Sequence, residues 1–380
     1  MNNQIIIYPL KGAIQHYAWG GHSYIPDLLN LSNEKQEPHA EYWIGTHHRG
    51  PAQVKISENW TDIRDLTKLP FLLKILDVGD MLSIQSHPNK IQAEVGFENE
   101  NEAGIPLDAK HRVFKDDNHK PELMVALSDF WLLHGFKSIV DINHLIESVP
   151  PFKILQDSLT DLKTFYSHIM RMSTEDSEKI LMELKEYLVD QDCSNKDQAH
   201  HWASRAFEKY GLDKGIFSIY FFNLVKLIEG EAIYQEAGIP HAYLEGQNVE
   251  IMANSDNVFR AGLTPKHIDI DLLIDHLVFE TVIPKVIYAT KTEDHEEVFL
   301  SPATEFEVRQ ITLCANEQTL LFPKDSECYF VLEGTVKTRG QSAEHEFSKG
   351  DSFFVNEAGQ FDLIGKTDCR IIRALIPSVQ

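Results

Sequence analysis

Four segments carry side chains whose types and spacing fit chemistry as well as packing. Gln85-Ser86-His87-Pro88-Asn89-Lys90 sets an amide and an imidazole two residues apart, the spacing that turns both toward one face of a β-strand. Asn118-His119-Lys120-Pro121-Glu122 joins a cation, a proline and a carboxylate, and Ile239-Pro240-His241-Ala242-Tyr243 places a histidine in an apolar context directly after a turn. Ser255–Lys266 is dense in polar groups beside apolar runs, as functional loops are. Together these segments supply a carboxylate, two imidazoles and an amide oxygen. That donor set suits a divalent, borderline-soft ion such as zinc with room for water. Each segment also has an ordinary reading as a packed histidine, a surface turn or a solvated connection, and none is a compact ligand signature. His16, His22, His47-His48 and His200-His201 have no carboxylate at useful spacing and read as surface or core residues.

The elements that must hold these groups fall into three textures. Residues 1–137 are short apolar runs such as Ile5–Tyr8, Met81–Gln85 and Leu123–Leu127, punctuated by Gly20-Gly21, Gly79-Asp80 and Pro88-Asn89. Such runs predict strands of a barrel or sandwich. Residues 138–222 read as helices: Ser173-Thr174-Glu175-Asp176 resembles a capping box, and Ile180, Leu181, Leu184, Tyr187 and Leu188 form one apolar stripe. Strand texture returns over 223–290 and continues through 291–380, where glycines divide β-branched and aromatic runs. One echo links the β parts. Gly230-Glu231-Ala232-Ile233-Tyr234 and Gly350-Asp351-Ser352-Phe353-Phe354 share a pattern and both run on to an Ala-Gly turn, but only the first is followed by a histidine.

Length and charge bound the function. The 380 residues allow two or three domains. With 35 Lys and Arg against 58 Asp and Glu, the formal charge is −23, which argues against nucleic acid or anionic lipid as a partner. An anionic ligand then requires a local group of cations. The first residues lack a secretory signal pattern, no run reaches a membrane span, and the four cysteines stand far apart. A cytoplasmic protein with reduced thiols is expected.

The segments also match a known family. Leu10-Lys11, Tyr17-Ala18-Trp19-Gly20, Glu41–His47, Leu69–Leu76, Gln85–Pro88, His119–Glu122, Pro240–Tyr243 and Ser255–Lys266 occur in order, and the chain resembles the type I phosphomannose isomerases along most of its length. The resemblance implies a mainly β protein: a cupin-type jelly-roll core (1–137 plus 223–290), an inserted all-helical domain (138–222) and a C-terminal β-sandwich (291–380) without metal ligands. It implies one zinc ion held by Gln85, His87, Glu122 and His241. The implied reaction interconverts mannose 6-phosphate and fructose 6-phosphate through a cis-enediol, which needs a proton shuttle, an electrophile and a phosphate site. Arg260 is then the active-site arginine and Lys120, two residues before a ligand, the proton-shuttle candidate. Lys74, His119, Glu250, Asp256 and Lys266 match positions lining that family's cleft, and Trp19 is a candidate sugar-facing wall. Two departures bear on substrate preference: Glu236 stands before Ala237-Gly238 where the family commonly has proline, and no serine follows Gly50-Pro51.

Two other readings compete. Two histidines and a carboxylate also form the facial set of iron(II) oxidoreductases, against which stand Lys120, Arg260 and Lys266, suited to a phosphorylated substrate. A silent sugar-binding module predicts a missing ligand, and none is missing. The sequence leaves the oligomeric state open.

Overall fold

The computed structural model describes residues 5–340 and 344–377. It is mainly β, a jelly-roll core carrying a helical insertion and packed against a second, C-terminal β-sandwich.

The organising element of the core is the strand His241–Ala253. Its second half pairs with Phe71–Val78 on one side and Glu122–Ala126 on the other. Its first half pairs with Phe130–Phe136 and, at His241, with Ile84–Ser86. A register shift between Tyr243 and Glu245, and Gly246 at φ +128°, bend the strand from one set of partners to the other. Strands that switch sheets do so at such bulges. Gly246 is obligatory there, since a Cβ would lie 2.6 Å from the Asp129 carbonyl oxygen.

Alternation decides which side chains enter the barrel. Phe71–Val78 is buried throughout. Phe71, Leu73 and Ile75 face outward and pack with Val249, Ile251, Phe330, Phe354 and Ile372, joining the core to the C-terminal sandwich. The alternate residues Leu72, Lys74 and Leu76 therefore point inward. The same rule puts Glu41 and Trp43 inward while Tyr42 and Ile44 join the outer cluster.

The helices of the insertion run from Ile139–Ser148 to Gly215–Phe221. Thr174–Val189 begins at Ser173, whose hydroxyl accepts from the Asp176 N–H, and Ile180, Leu181, Leu184 and Leu188 are buried as the stripe predicts. These helices share one apolar cluster with Leu133, Phe136, Ala242, Phe259 and Ala261 of the barrel. The short helix Tyr24–Leu28 and the longer Lys90–Glu102, both within the first 137 residues, depart from the strand texture expected there. Lys90–Glu102 starts from a full capping box between Asn89 and Gln92. Its apolar residues Ile91, Ala93, Val95 and Phe97 fall at every second position, a strand-like spacing, and Ala93 alone is buried, so it leaves no helical period to read.

The C-terminal sandwich has its core between a four-stranded sheet and a nine-stranded one. The nine-stranded sheet crosses the expected division at residue 290. Ile7–Lys11 lies between Ser352–Val355 and Gln53–Ile56, and Asn59–Asp62 forms its edge. The repeated glycine pattern has a structural counterpart: Gly230 (φ +85°) and Gly350 (φ +90°) are left-handed turns feeding the strands Glu231–Gln235 and Ser352–Val355.

Candidate metal centre and cleft

His87, Glu122 and His241 converge from three neighbouring strand segments. His241 stands opposite Gln85 in register, Gln85 opposite Arg260, and Glu122 opposite Met252 and Gln235. All three converging side chains are buried. His87 Nε2 lies 3.5 Å from Glu122 Oε1 and His241 Nε2 lies 3.3 Å from Glu122 Oε2. The proton positions follow from the other ring nitrogens. His87 Nδ1–H donates to the Asn257 carbonyl oxygen at 2.7 Å, and His241 Nδ1–H donates to that of Ile239 at 3.0 Å. Both Nε2 atoms therefore carry lone pairs, and both are buried without a hydrogen-bond partner. Two orphaned lone pairs facing one carboxylate are costly alone and become favourable around a cation. Burial, reinforced by Lys120, pushes His87 down to about 4, so the ring is neutral and available as a ligand. Lys120, His87 and His241 outweigh the burial of Glu122 and hold its carboxyl well below the usual range. The residues fit zinc. Gln85 lines the same opening and can add its amide oxygen.

The centre opens on a cleft of about 710 Å³. Its cations are Arg49, Lys74, Lys120, Lys209, Arg260 and Lys266; its carboxylates are Glu41, Glu122, Asp213 and Glu250. Positive groups thus outnumber negative ones here, in a chain of charge −23. Lys120 Nζ sits 2.9 Å from Glu122 Oε1. Lys74 Nζ sits 2.7 Å from Glu250 Oε2 and 3.8 Å from Glu41 Oε2. Burial works against the Lys74 charge, but Glu250 and Glu41 outweigh it and raise the pKa, fixing this lysine as a permanent cation. Glu41 is itself raised by burial and accepts a hydrogen bond from Trp43 Nε1–H.

Arg260 and Lys266 are different. Among the described residues neither forms an ion pair with a carboxylate, whereas Arg49 pairs with Asp256 at 3.3 Å. Burial lowers the pKa of both, and Lys266 is lowered further by Arg260 and Arg49. A part-buried arginine and an exposed lysine that repel one another and lack counterions among the described residues make a site for an anion.

Trp19 lines the cleft and stacks on Tyr17 at 5.9 Å. His119 and Asp256 do not line it. The His119 ring is hydrogen-bonded to Glu305, and Asp256 holds Arg49 in place from behind.

Three comparisons place the chain among known proteins. Residues 7–139 match the family model for the phosphomannose isomerase type I catalytic domain. Mannose-6-phosphate isomerase of Salmonella typhimurium is 34% identical, over 91% of this chain and 94% of the relative. The human mannose-6-phosphate isomerase is 31% identical over 97% and 98%. The chain belongs to the type I phosphomannose isomerase family. A crystal structure of the Salmonella typhimurium enzyme of this family, bound to substrate and zinc, superposes with a TM-score of 0.88 at 31% identity, covering 98% of this chain and all of that one.

Family membership and geometry sharpen the earlier reading. Arg49, Lys209 and Asp213 line the cleft but carried no signal, because each enters through a long-range contact; Tyr17 and Glu41 also line it and stand in family-matched segments, though no role was read for them. Lys209 and Asp213 come from the helical insertion, where Lys209 also pairs with Asp80 at 2.8 Å. His47 and His48 do have a carboxylate: Asp256 Oδ2 lies 3.6 and 3.7 Å from their Nε2 atoms. This group is nevertheless wired unlike the first. His47 Nδ1 accepts from the Arg49 N–H, which puts its proton on Nε2, and Arg49 already engages Asp256. Among the described residues no third group of this kind lies in the C-terminal sandwich. A cavity of about 530 Å³ there is lined by Arg373, Glu327, Glu296 and Arg309, which satisfy one another.

Proposed function

We propose that this protein is a zinc-dependent aldose–ketose isomerase interconverting D-mannose 6-phosphate and D-fructose 6-phosphate. The observation that carries it is the pair of inward, unpartnered Nε2 lone pairs facing Glu122, at the floor of a cleft whose wall holds the unpaired cations Arg260 and Lys266. One zinc ion would be held by His87, Glu122, His241 and Gln85, and when bound it supplies electrophilic polarisation and orders the sugar oxygens. With a single carboxylate among four ligands the site stays net positive.

The chain's own groups then divide the work. Arg260 and Lys266, with Arg49 beside them, take the anionic parts of the substrate. Lys74, charged and braced by Glu250 and Glu41, presents a fixed positive dipole to the sugar rather than exchanging protons. Lys120, beside Glu122, carries the proton from C2 to C1 of the open-chain sugar, and Arg260 stabilises the negative charge that develops on the enediol oxygens. His119 and Asp256 act from behind the cleft wall, and Trp19 with Tyr17 closes its rim. We assign the catalytic unit to 1–137 plus 223–290, the helical insert to 138–222 and the second sandwich to 291–380, the last completed by strands from the first. Among the described residues no helix is long and apolar enough to cross a membrane, and unpaired cysteines fit the reducing cytoplasm.

The test is chelation followed by a coupled isomerase assay across several sugar phosphates. Activity should vanish with the metal and return with zinc; full activity in metal-free protein overturns the proposal.

A further inference from the structure

We propose that Asn257 is a positioning residue for the metal centre, locking His87 in the ligand-competent tautomer and fixing it to the segment that carries Lys120 and Glu122. The inference rests on the reading of His87 as a zinc ligand.

Asn257 is buried, 1% exposed, between the strands His241–Ala253 and Phe259–Gly262. Its amide side chain is saturated by one stretch of backbone. Oδ1 accepts the Lys115 N–H at 2.6 Å and the Asp116 N–H at 3.3 Å. Nδ2 donates to the carbonyl oxygens of Asp116 at 2.8 Å and Asn118 at 2.9 Å. One side chain thus grips the 115–118 segment immediately ahead of His119-Lys120-Pro121-Glu122. Its own backbone carbonyl, facing the other way, is the acceptor for His87 Nδ1–H. Asp116 completes the clamp from the facing loop: its carboxylate accepts the Asp256 N–H and the Ser255 hydroxyl, both at 2.8 Å.

The consequence is geometric. The carbonyl that sets the His87 tautomer cannot shift without pulling on the segment that leads into Lys120 and Glu122, and the reverse holds. Two metal ligands and the proton-shuttle lysine are therefore positioned against one another through a single amide. Three residues further on, the same loop places Arg260 opposite Gln85.

Asn257→Ala removes both grips. Asn257→Asp keeps the size and the acceptor for Lys115 but sets a carboxylate against two carbonyl oxygens. Zinc affinity of the purified metal-free proteins, measured by competition with a chromophoric chelator, should weaken about 10–100-fold in both. At saturating zinc kcat should recover only in part, because the segment leading into Lys120 is released as well, with KM for mannose 6-phosphate little changed. A role confined to folding lowers Tm but leaves the zinc affinity of the folded protein alone, so a folded variant with wild-type affinity overturns the inference. Wild-type protein that binds no zinc instead overturns the metal reading beneath it. A measurement on the wild-type holoenzyme needs no variant: in 15N-histidine spectra the His87 Nδ1 proton should exchange slowly with water. A rapidly exchanging proton overturns the inference too.

Discussion

Among the described residues two clusters set a pair of histidines around one carboxylate, and proton position separates them. In the first, both Nδ1–H groups are spent on carbonyl oxygens and both Nε2 lone pairs meet at Glu122. In the second, His47 Nδ1 accepts a backbone N–H, so its Nε2 is a donor toward Asp256. Spacing in the sequence reveals the donor types but not the tautomer, which depends on backbone carbonyls far away in the chain. That is why the donor types in the segments of Gln85, His87, Glu122 and His241 were legible, their grouping coming only from the family resemblance, while the true surroundings of His47, His119 and Asp256 were not. Arg260→Ala should lower kcat about 10²–10³-fold while leaving bound zinc unchanged by metal analysis; retained turnover would remove its catalytic assignment. The buried histidines also set an acid limit. Burial holds His47 and His134 down to about 4, against about 6.5 in the unfolded chain. The native state therefore binds fewer protons, and the stability is complete above about pH 6.5 and lost as pH falls toward 4, at on the order of 1–3 kcal/mol per group. Thermal melts of metal-free protein over that range should show Tm falling with acid; a flat profile would mean these rings take up protons as readily in the fold as in the unfolded chain.

At the level of elements, the cleft is assembled from strands that obey simple alternation and from a helical insertion that does not announce its role. Lys74 and Glu250 were singled out by the family resemblance, and both prove to be charged residues in buried stretches of strand. The insertion was readable as helix, yet nothing local showed that Lys209 and Asp213 reach the cleft. Its docking depends on close backbone contact. A Cβ on Gly215 would lie 2.5 Å from the Leu263 nitrogen, and one on Gly262 would lie 2.4 Å from the Gly215 Cα. Asp213 Oδ1 reinforces this by accepting the N–H groups of Gly215 at 2.6 Å and Leu263 at 2.8 Å. Gly215→Ala should therefore cost about 1–3 kcal/mol through overpacking. Because Gly262 ends the strand that bears Arg260, kcat should fall along with the denaturation midpoint. A stable, fully active variant would show that the helix and strand can part without consequence.

For the whole molecule, the field and the site have opposite signs. A chain of −23 repels a sugar phosphate until the ligand comes within about a Debye length, ~8 Å at physiological salt. Capture then falls to the local cations of the cleft. Adding salt should leave kcat/KM flat or raise it slightly, and a steep decline would mean that long-range attraction dominates. The sandwich–helix–sandwich order was visible in the texture of the sequence, but one pairing was not. The Ser352 hydroxyl donates to the Leu10 carbonyl oxygen across 342 positions, and no local pattern encodes a partner at that distance. This interlock gives the fold a schedule. At typical translation speeds the strand Ile7–Lys11 waits roughly 20–70 s for Ser352–Val355 to be made. Until then it can pair only with Gln53–Ile56, leaving its other edge open. The joint that ties the two ends of the chain together is thus among the last to close, followed only by the pairings of Phe361–Gly365 and Cys369–Leu375, and the interval before it closes is when the nascent chain most needs protection from other unpaired strands.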